Sequence, residues 1–339
     1  MRCLVVGGTG FLGGAIVDAA AAVGHSMSVL ARGQTGRAQP AGIEFIQADR
    51  HDTLDTLAGR SFDWVFDSCA YSPDAVHRLL DAVGEGLKRY VLISSISAYG
   101  TFEKEGLNED DPVPAPTDAD LAVAAAVPAA DRASAAAYGE SYGRLKRACE
   151  LAAAERLGNR ATALRVGLLV GAGDYTNRLT WWVRRIDQAR GSQRRVPAPG
   201  PPDRPVQFVD ARDAAGFALT CAENGPGGIW NVTGQEMALS DVLDAVATAA
   251  GSEPEFVWRD DAAILEAGIA PWTDMPLMAP SMPEFRHFLQ VDAGKARAEG
   301  LTCRPLADTL GRLLDWDRGR RDQPLGVGLT AEQEARLLG

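Results

Sequence analysis

The stretch Cys3-Leu-Val-Val-Gly-Gly-Thr-Gly-Phe-Leu-Gly13 decides how the rest of the chain is read. A short apolar run stops at glycines, and residues 11–23, rich in Ala, Ile and Val, follow at once. That pattern predicts a buried strand, a tight turn and a helix that Gly24 ends. Such a turn leaves unpaired backbone N–H groups at a helix N-terminus, where they and the helix dipole stabilise a phosphate. Gly8-x-Gly10-x-x-Gly13 fits the dinucleotide fingerprint, and Gly7 adds an overlapping GxxGxxG. Glycines there permit the tight turn, the approach of a pyrophosphate and close helix–sheet packing. Gly7, Thr9, Gly10, Phe11, Leu12 and Gly13 are therefore candidate cofactor contacts. An ordinary βα turn can show the same spacing, so the context has to carry the reading.

Working outward, the pattern predicts strands over 26–30, 43–48, 63–69, 89–94 and 162–170, with helices over 75–83 and 140–157. Apolar strands alternating with helices predict an α/β fold, a Rossmann-type doubly wound parallel sheet, with a smaller, mainly C-terminal α/β substrate domain. The expected division is a dinucleotide-binding domain over 1–170, carrying an insertion at 101–137. Residues 171–318 then mainly bind substrate, with 206–223 returning to the first domain, and 319–339 form a tail. The insertion is acidic and proline-rich, then alanine-rich. A solvated loop is the simpler reading and a lid the sharper one.

Composition narrows the classes. The 339 residues are 46% hydrophobic, enough for a full core. A net charge of −11 opposes non-specific nucleic-acid binding, so no nucleic-acid partner is expected. Five scattered cysteines without a CxxC read as reduced thiols. With no charged-then-apolar leader and no long apolar run, the expectation is a cytoplasmic protein with no membrane partner. Four dispersed histidines support no metal site. A homodimer is possible.

About 20 residues past the last glycine, a dinucleotide fold carries an acid for a ribose hydroxyl or an arginine for a 2′-phosphate. This chain has Arg32 and Arg37 there and no acid over 31–39. That favours NADP(H), with NAD(H) as the alternative.

Tyr142-Gly-Arg-Leu-Lys146 places a tyrosine and a lysine on one helix face. Tyrosine ionises near pH 10, too high for a base at neutral pH; a nearby ammonium and a cationic nicotinamide favour the phenolate. Ser94-Ser-Ile-Ser-Ala-Tyr-Gly100 follows the fifth strand, where a hydroxyl can hold a substrate oxygen. In the second region Arg178, Arg184, Arg185 and Arg204 could meet an acidic group on the substrate, Arg204 most plainly. Ser97, Arg178 and Arg204 are the candidate substrate contacts. Trp181, Trp182 and Trp272 are by default core residues. Asn231-Val-Thr233 matches a glycosylation acceptor but is discounted.

In this order, GGTGFLG at 7–13, ADR at 48–50, SSISAYG at 94–100, YGRLK at 142–146, LRVGLLVG at 164–171 and PVQFVDARD at 205–213 are specific. The chain resembles the extended short-chain dehydrogenase/reductase superfamily, in its epimerase/dehydratase branch, over about residues 1–318. The resemblance implies Ser95 as catalytic serine, Tyr142 as acid/base, and Lys146 as its partner and a nicotinamide-ribose ligand. It also implies that Asp49 and Arg50 border the adenine, that Cys69, Ala70 and Tyr71 line the cofactor, and that Gly167 and Leu168 flank the nicotinamide. Two departures stand out: a longer gap from Ser95 to Tyr142, and Arg32 in place of an acid. The expected function is NADP(H)-dependent interconversion of a secondary alcohol and a ketone on a small, sugar-like or cyclic substrate. The alternatives are an NAD-dependent sugar or nucleotide-sugar epimerase/dehydratase, and an idle nucleotide- or RNA-binding scaffold.

Overall fold

The computed structural model describes residues 1–34, 40–225 and 227–339, so Arg37 lies outside the described residues. In chain order the first half runs β1 (Arg2–Val6), α1 (Phe11–Ala22), β2 (Ser26–Ala31), β3 (Glu44–Gln47), β4 (Trp64–Asp67), α2 (Pro73–Val83), β5 (Arg89–Ser95), α3 (Asp118–Ala126), α4 (Tyr142–Leu157) and β6 (Ala161–Val166). The second half adds β7 (Leu169–Val170), α5 (Arg178–Asp187), β8 (Arg195–Pro199), β9 (Pro205–Val206), β10 (Val209–Asp210), α6 (Ala211–Glu223), β11 (Gly228–Val232) and β12 (Met237–Ala238). It closes with α7 (Leu239–Ala250), β13 (Glu255–Arg259), α8 (Asp261–Glu266), α9 (Gly294–Ala298), α10 (Leu306–Arg318) and α11 (Ala331–Leu338).

Seven parallel strands form the central sheet in the order β11-β6-β5-β4-β1-β2-β3. Alternate side chains of β1 enter opposite cores. Cys3 and Val5 meet Ile16 and Val17 of α1 and Ala214 and Ala218 of α6, whereas Leu4 and Val6 meet Leu79 of α2 and Cys149 of α4. Both faces are covered, which is why the strand reads as an unbroken apolar run rather than an alternating one. The strand order reverses beside β1, between β2 on one flank and β4 on the other, and that opens a crevice at the strands' carboxyl ends.

Several expectations change. The strand over 162–170 is two pieces: β6 stays in the main sheet and β7 leaves to pair with β10. Gly167 is the break; its N–H bonds Val232 at 3.0 Å, and a Cβ there would sit 2.7 Å from the Thr233 hydroxyl. The PVQFVDARD stretch at 205–213 holds two short strands, β9, paired with β12, and β10. The seventh strand, β11, was not anticipated. Its Asn231 is fully buried and donates to the carbonyls of Leu107 and Asp292, which removes it as a glycosylation acceptor. The insertion is also not all loop. Thr117 and Asp120 form a capping box that starts α3, and Pro128 follows its last turn.

The second region packs α5, α7 and α10 around its own core, in which Trp182 is fully buried and donates to the Pro276 carbonyl at 2.7 Å. The C-terminal residues join this core through the buried Leu337. Among the described residues no helix is long and apolar enough to cross a membrane.

Candidate functional site

A groove of about 870 Å³ runs along the carboxyl ends of β1, β2, β4 and β5. At its floor, Gly7 (φ +81°) turns the chain from β1 towards α1. A Cβ on Gly7 would lie 2.6 Å from the Ser68 hydroxyl, and one on Gly13 would lie 2.3 Å from the Gly7 carbonyl oxygen. Glycine is therefore required here by contact as well as by torsion. Thr9, Gly10, Phe11 and Leu12 line the same groove, as do Cys69 and Tyr71. An elongated groove with a bare helix N-terminus at mid-length fits the shape and charge of a dinucleotide.

One end of the groove holds the tyrosine–lysine pair. Both side chains line it, one helical turn apart on α4. The Lys146 ammonium is buried and donates to the carbonyl oxygens of Ala70 and Ile93, each at 2.9 Å. It also lies 4.5 Å from the ring centre of Tyr71 and 5.8 Å from that of Tyr142. Burial pushes the Lys146 pKa below that of a free lysine. Burial likewise raises the Tyr142 phenol, and a hydrogen bond with Ser95 offsets part of that rise. Ser95 caps the turn Ile96–Tyr99, and its Oγ lies 3.1 Å from that of Ser97. Burial of the phenol thus acts against the phenolate, and the Ser95 hydroxyl acts for it.

The other end is lined by Arg32, Asp49, Arg50 and His51. Arg50 is already committed: it is buried and forms a bidentate pair with Asp67, whose second oxygen also accepts from the Tyr90 hydroxyl at 2.7 Å. Asp49 accepts the His51 N–H at 2.9 Å. Arg32 donates to the Ala129 carbonyl at 2.8 Å, so the insertion reaches this end of the groove.

Other expected contacts fall outside the groove. Val166 and Leu169 line it, rather than Gly167 and Leu168. Arg204 pairs with Asp261, Arg184 with Asp317 and Arg185 with Glu334, so all three are neutralised within the second region. Arg178 stacks on Trp272 at 4.6 Å. Sequence reasoning missed Tyr175, whose exposed ring lines the catalytic end, and residues 130–135 of the insertion. It also missed Gly143, where a Cβ would lie 2.1 Å from the Ser97 carbonyl oxygen. A glycine inside an otherwise strong helix was the available signal. No cluster of metal-ligating side chains occurs among the described residues.

A model of the NAD dependent epimerase/dehydratase family matches residues 3–233. A search of curated protein sequences gave no match. Among solved structures, the chain is similar to UDP-N-acetylglucosamine 4-epimerase from Bacillus cereus, with 20% identity, 96% of this chain and 99% of that one covered, and a TM-score of 0.63. It is also similar to the Bordetella bronchiseptica enzyme WbmH in complex with NAD+ (16% identity, 96% and 99% covered, TM-score 0.65). A third is UDP-glucuronic acid 4-epimerase from Bacillus cereus in complex with NAD (17% identity, 94% and 99% covered, TM-score 0.62). At these identities the likeness speaks for the fold.

Proposed function

Since this chain belongs to the NAD-dependent epimerase/dehydratase family, we propose that it interconverts a secondary alcohol and a ketone on a small, sugar-like or cyclic substrate, with NADP(H) as its favoured cofactor. The observation that carries this reading is the placement of Tyr142 and Lys146 one helical turn apart in the groove beside the end of β5, where Ser95 lies. Gly7–Gly13 hold the pyrophosphate, Arg32 meets the 2′-phosphate, and Lys146 and Tyr142 meet the nicotinamide ribose. A nicotinamide bound there supplies or accepts a hydride at the substrate carbon.

The protein's own groups handle the proton. In reduction, Tyr142 donates its phenolic proton to the carbonyl oxygen, which Ser95 holds by a hydrogen bond. The raised phenol pKa suits this direction, because the donor is fully protonated at rest. In oxidation, Tyr142 enters as the phenolate, its proton having passed to solvent and its charge stabilised by the buried Lys146 ammonium, and takes the proton of the substrate hydroxyl. Lys146 is oriented for this by two backbone acceptors that cannot move away.

A second reading has specific support. The family is that of NAD dependent epimerases/dehydratases, two of the solved structures named above are 4-epimerases, and two of the three hold NAD. If the ketone turns over in the pocket before it is reduced again, the same three side chains epimerise a sugar or nucleotide sugar. The RNA-scaffold alternative has no comparable support.

The test is a panel of cyclic ketones assayed for NADPH oxidation and of nucleotide sugars assayed for epimerisation. With an active substrate in hand, Tyr142→Phe should cut turnover by about 10²-fold or more while NADPH still binds. Undiminished turnover would sink the assignment.

A further inference from the structure

Resting on the NADP(H) reading above, we propose that Arg132 of the insertion is a second arginine of the cofactor site, binding the adenosine 2′-phosphate together with Arg32. The insertion then acts as a cofactor-selecting cap.

Residues 130–135 line the same groove as Arg32, Asp49 and His51. Several contacts hold them there. Arg32 donates to the Ala129 carbonyl at 2.8 Å, the Tyr138 hydroxyl donates to the Arg132 carbonyl at 3.0 Å, and the Tyr138 ring stacks on Tyr71 at 5.0 Å. Tyr71 in turn lies beneath the Lys146 ammonium, so the cap is tied to the floor of the site as well as to its rim.

Arg132 borders two cavities, this groove and a smaller one beside Ser72 and Arg78. Arg132 is half-buried, and its Nε donates to the Val127 carbonyl at 3.2 Å, which fixes the plane of the group. Its terminal nitrogens have no partner among the described residues, and no carboxylate pairs with it. Arg32 commits one nitrogen to Ala129, and its remaining donors have no partner among the described residues. Two carboxylates share this end, Asp49, which accepts the His51 amide, and the exposed Asp131, and neither forms an ion pair with Arg32 or Arg132 among the described residues.

Arg50, the other arginine of this end, is neutralised by Asp67. In a chain of net charge −11, two guanidinium groups without an ion-pair partner among the described residues, at one end of a groove, fit a dianionic phosphate. NAD(H) has only a hydroxyl at that position and gains little from a second arginine.

The experiment is titration of full-length protein with NADPH and with NADH, in the parent, Arg132→Gln and Arg132→Lys. Arg132→Gln should weaken NADPH about tenfold or more and change NADH by less than about twofold. Arg132→Lys keeps the charge without the bond to Val127, and should retain most of the preference. If the parent binds both cofactors equally, the NADP(H) reading fails and this inference with it. If the parent prefers NADPH and both variants keep that preference, or lose both cofactors equally, only the role given to Arg132 is overturned.

Discussion

Glu150 holds Arg165 through two parallel hydrogen bonds, 2.9 and 2.8 Å long, in a pair almost wholly shielded from solvent. The pair joins α4, which carries Tyr142 and Lys146, to the end of β6. Ser94 of β5 adds a 2.6 Å bond to the same carboxylate, and Arg165 lies 4.7 Å from the ring centre of Tyr99. The spacing between Tyr142 and Ser95 therefore depends on one buried carboxylate behind them. Removing one member of such a pair leaves an uncompensated charge, at about 3–5 kcal/mol. Glu150→Gln should lower stability by about that much in denaturant unfolding. A loss under about 1 kcal/mol would show that water relieves the stranded guanidinium.

The parts legible in sequence were those whose partners lie close along the chain. The glycine turn sits within one βα unit, and Tyr142 and Lys146 share a helix face through the helical repeat alone. What escaped depends on pairings that no local pattern encodes. Arg32 and Ala129 meet across 97 positions, so an insertion that reads as surface loop lines the groove. Arg50 and Arg204 looked like free cations until the fold brought Asp67 and Asp261 against them. The apolar run over 162–170 contains Gly167, which lets the backbone turn towards β11 and divides one expected strand into two.

Asp67 gives a pH signature. Burial acts to raise its pKa, but the charge and hydrogen bonds of Arg50, with the Tyr90 hydroxyl, outweigh burial and hold the carboxyl below its usual range. A carboxyl lowered in the folded state stabilises the fold above its unfolded pKa of about 3.9, and that contribution is lost as pH falls through the folded value. Asp67→Asn should therefore destabilise by about 3–5 kcal/mol at pH 7, with the gap to the parent closing below about pH 4. Urea unfolding across pH 2–7 measures this. A gap that is constant with pH would mean that ionisation of Asp67 contributes nothing.

Gly143 is where packing and chemistry meet most tightly. A Cβ at this position would lie 2.1 Å from the Ser97 carbonyl oxygen and 2.8 Å from its carbon, both backbone atoms that cannot rotate aside. In a free helix, alanine would be better than glycine by about 1 kcal/mol. Here the added methyl forces α4 away from the turn Ile96–Tyr99, and overpacking of that kind costs about 1–3 kcal/mol. Helix propensity offsets only part of a clash with backbone, so a net loss of up to about 2 kcal/mol is expected. The effect on geometry is not small, because Tyr142 is the neighbouring residue and withdraws from Ser95 with the helix. A misplacement of about 1 Å can cost about 10²-fold in rate. Gly216→Ala serves as the control: that glycine is exposed in α6, a Cβ there meets nothing within 4 Å, and the change should add about 1 kcal/mol. Gly143→Ala should thus lose turnover and unfold below the parent's temperature, whereas Gly216→Ala should keep turnover and unfold slightly above it. Turnover within about twofold of the parent for Gly143→Ala would show that the approach of α4 to that turn does not set the distance from Tyr142 to Ser95.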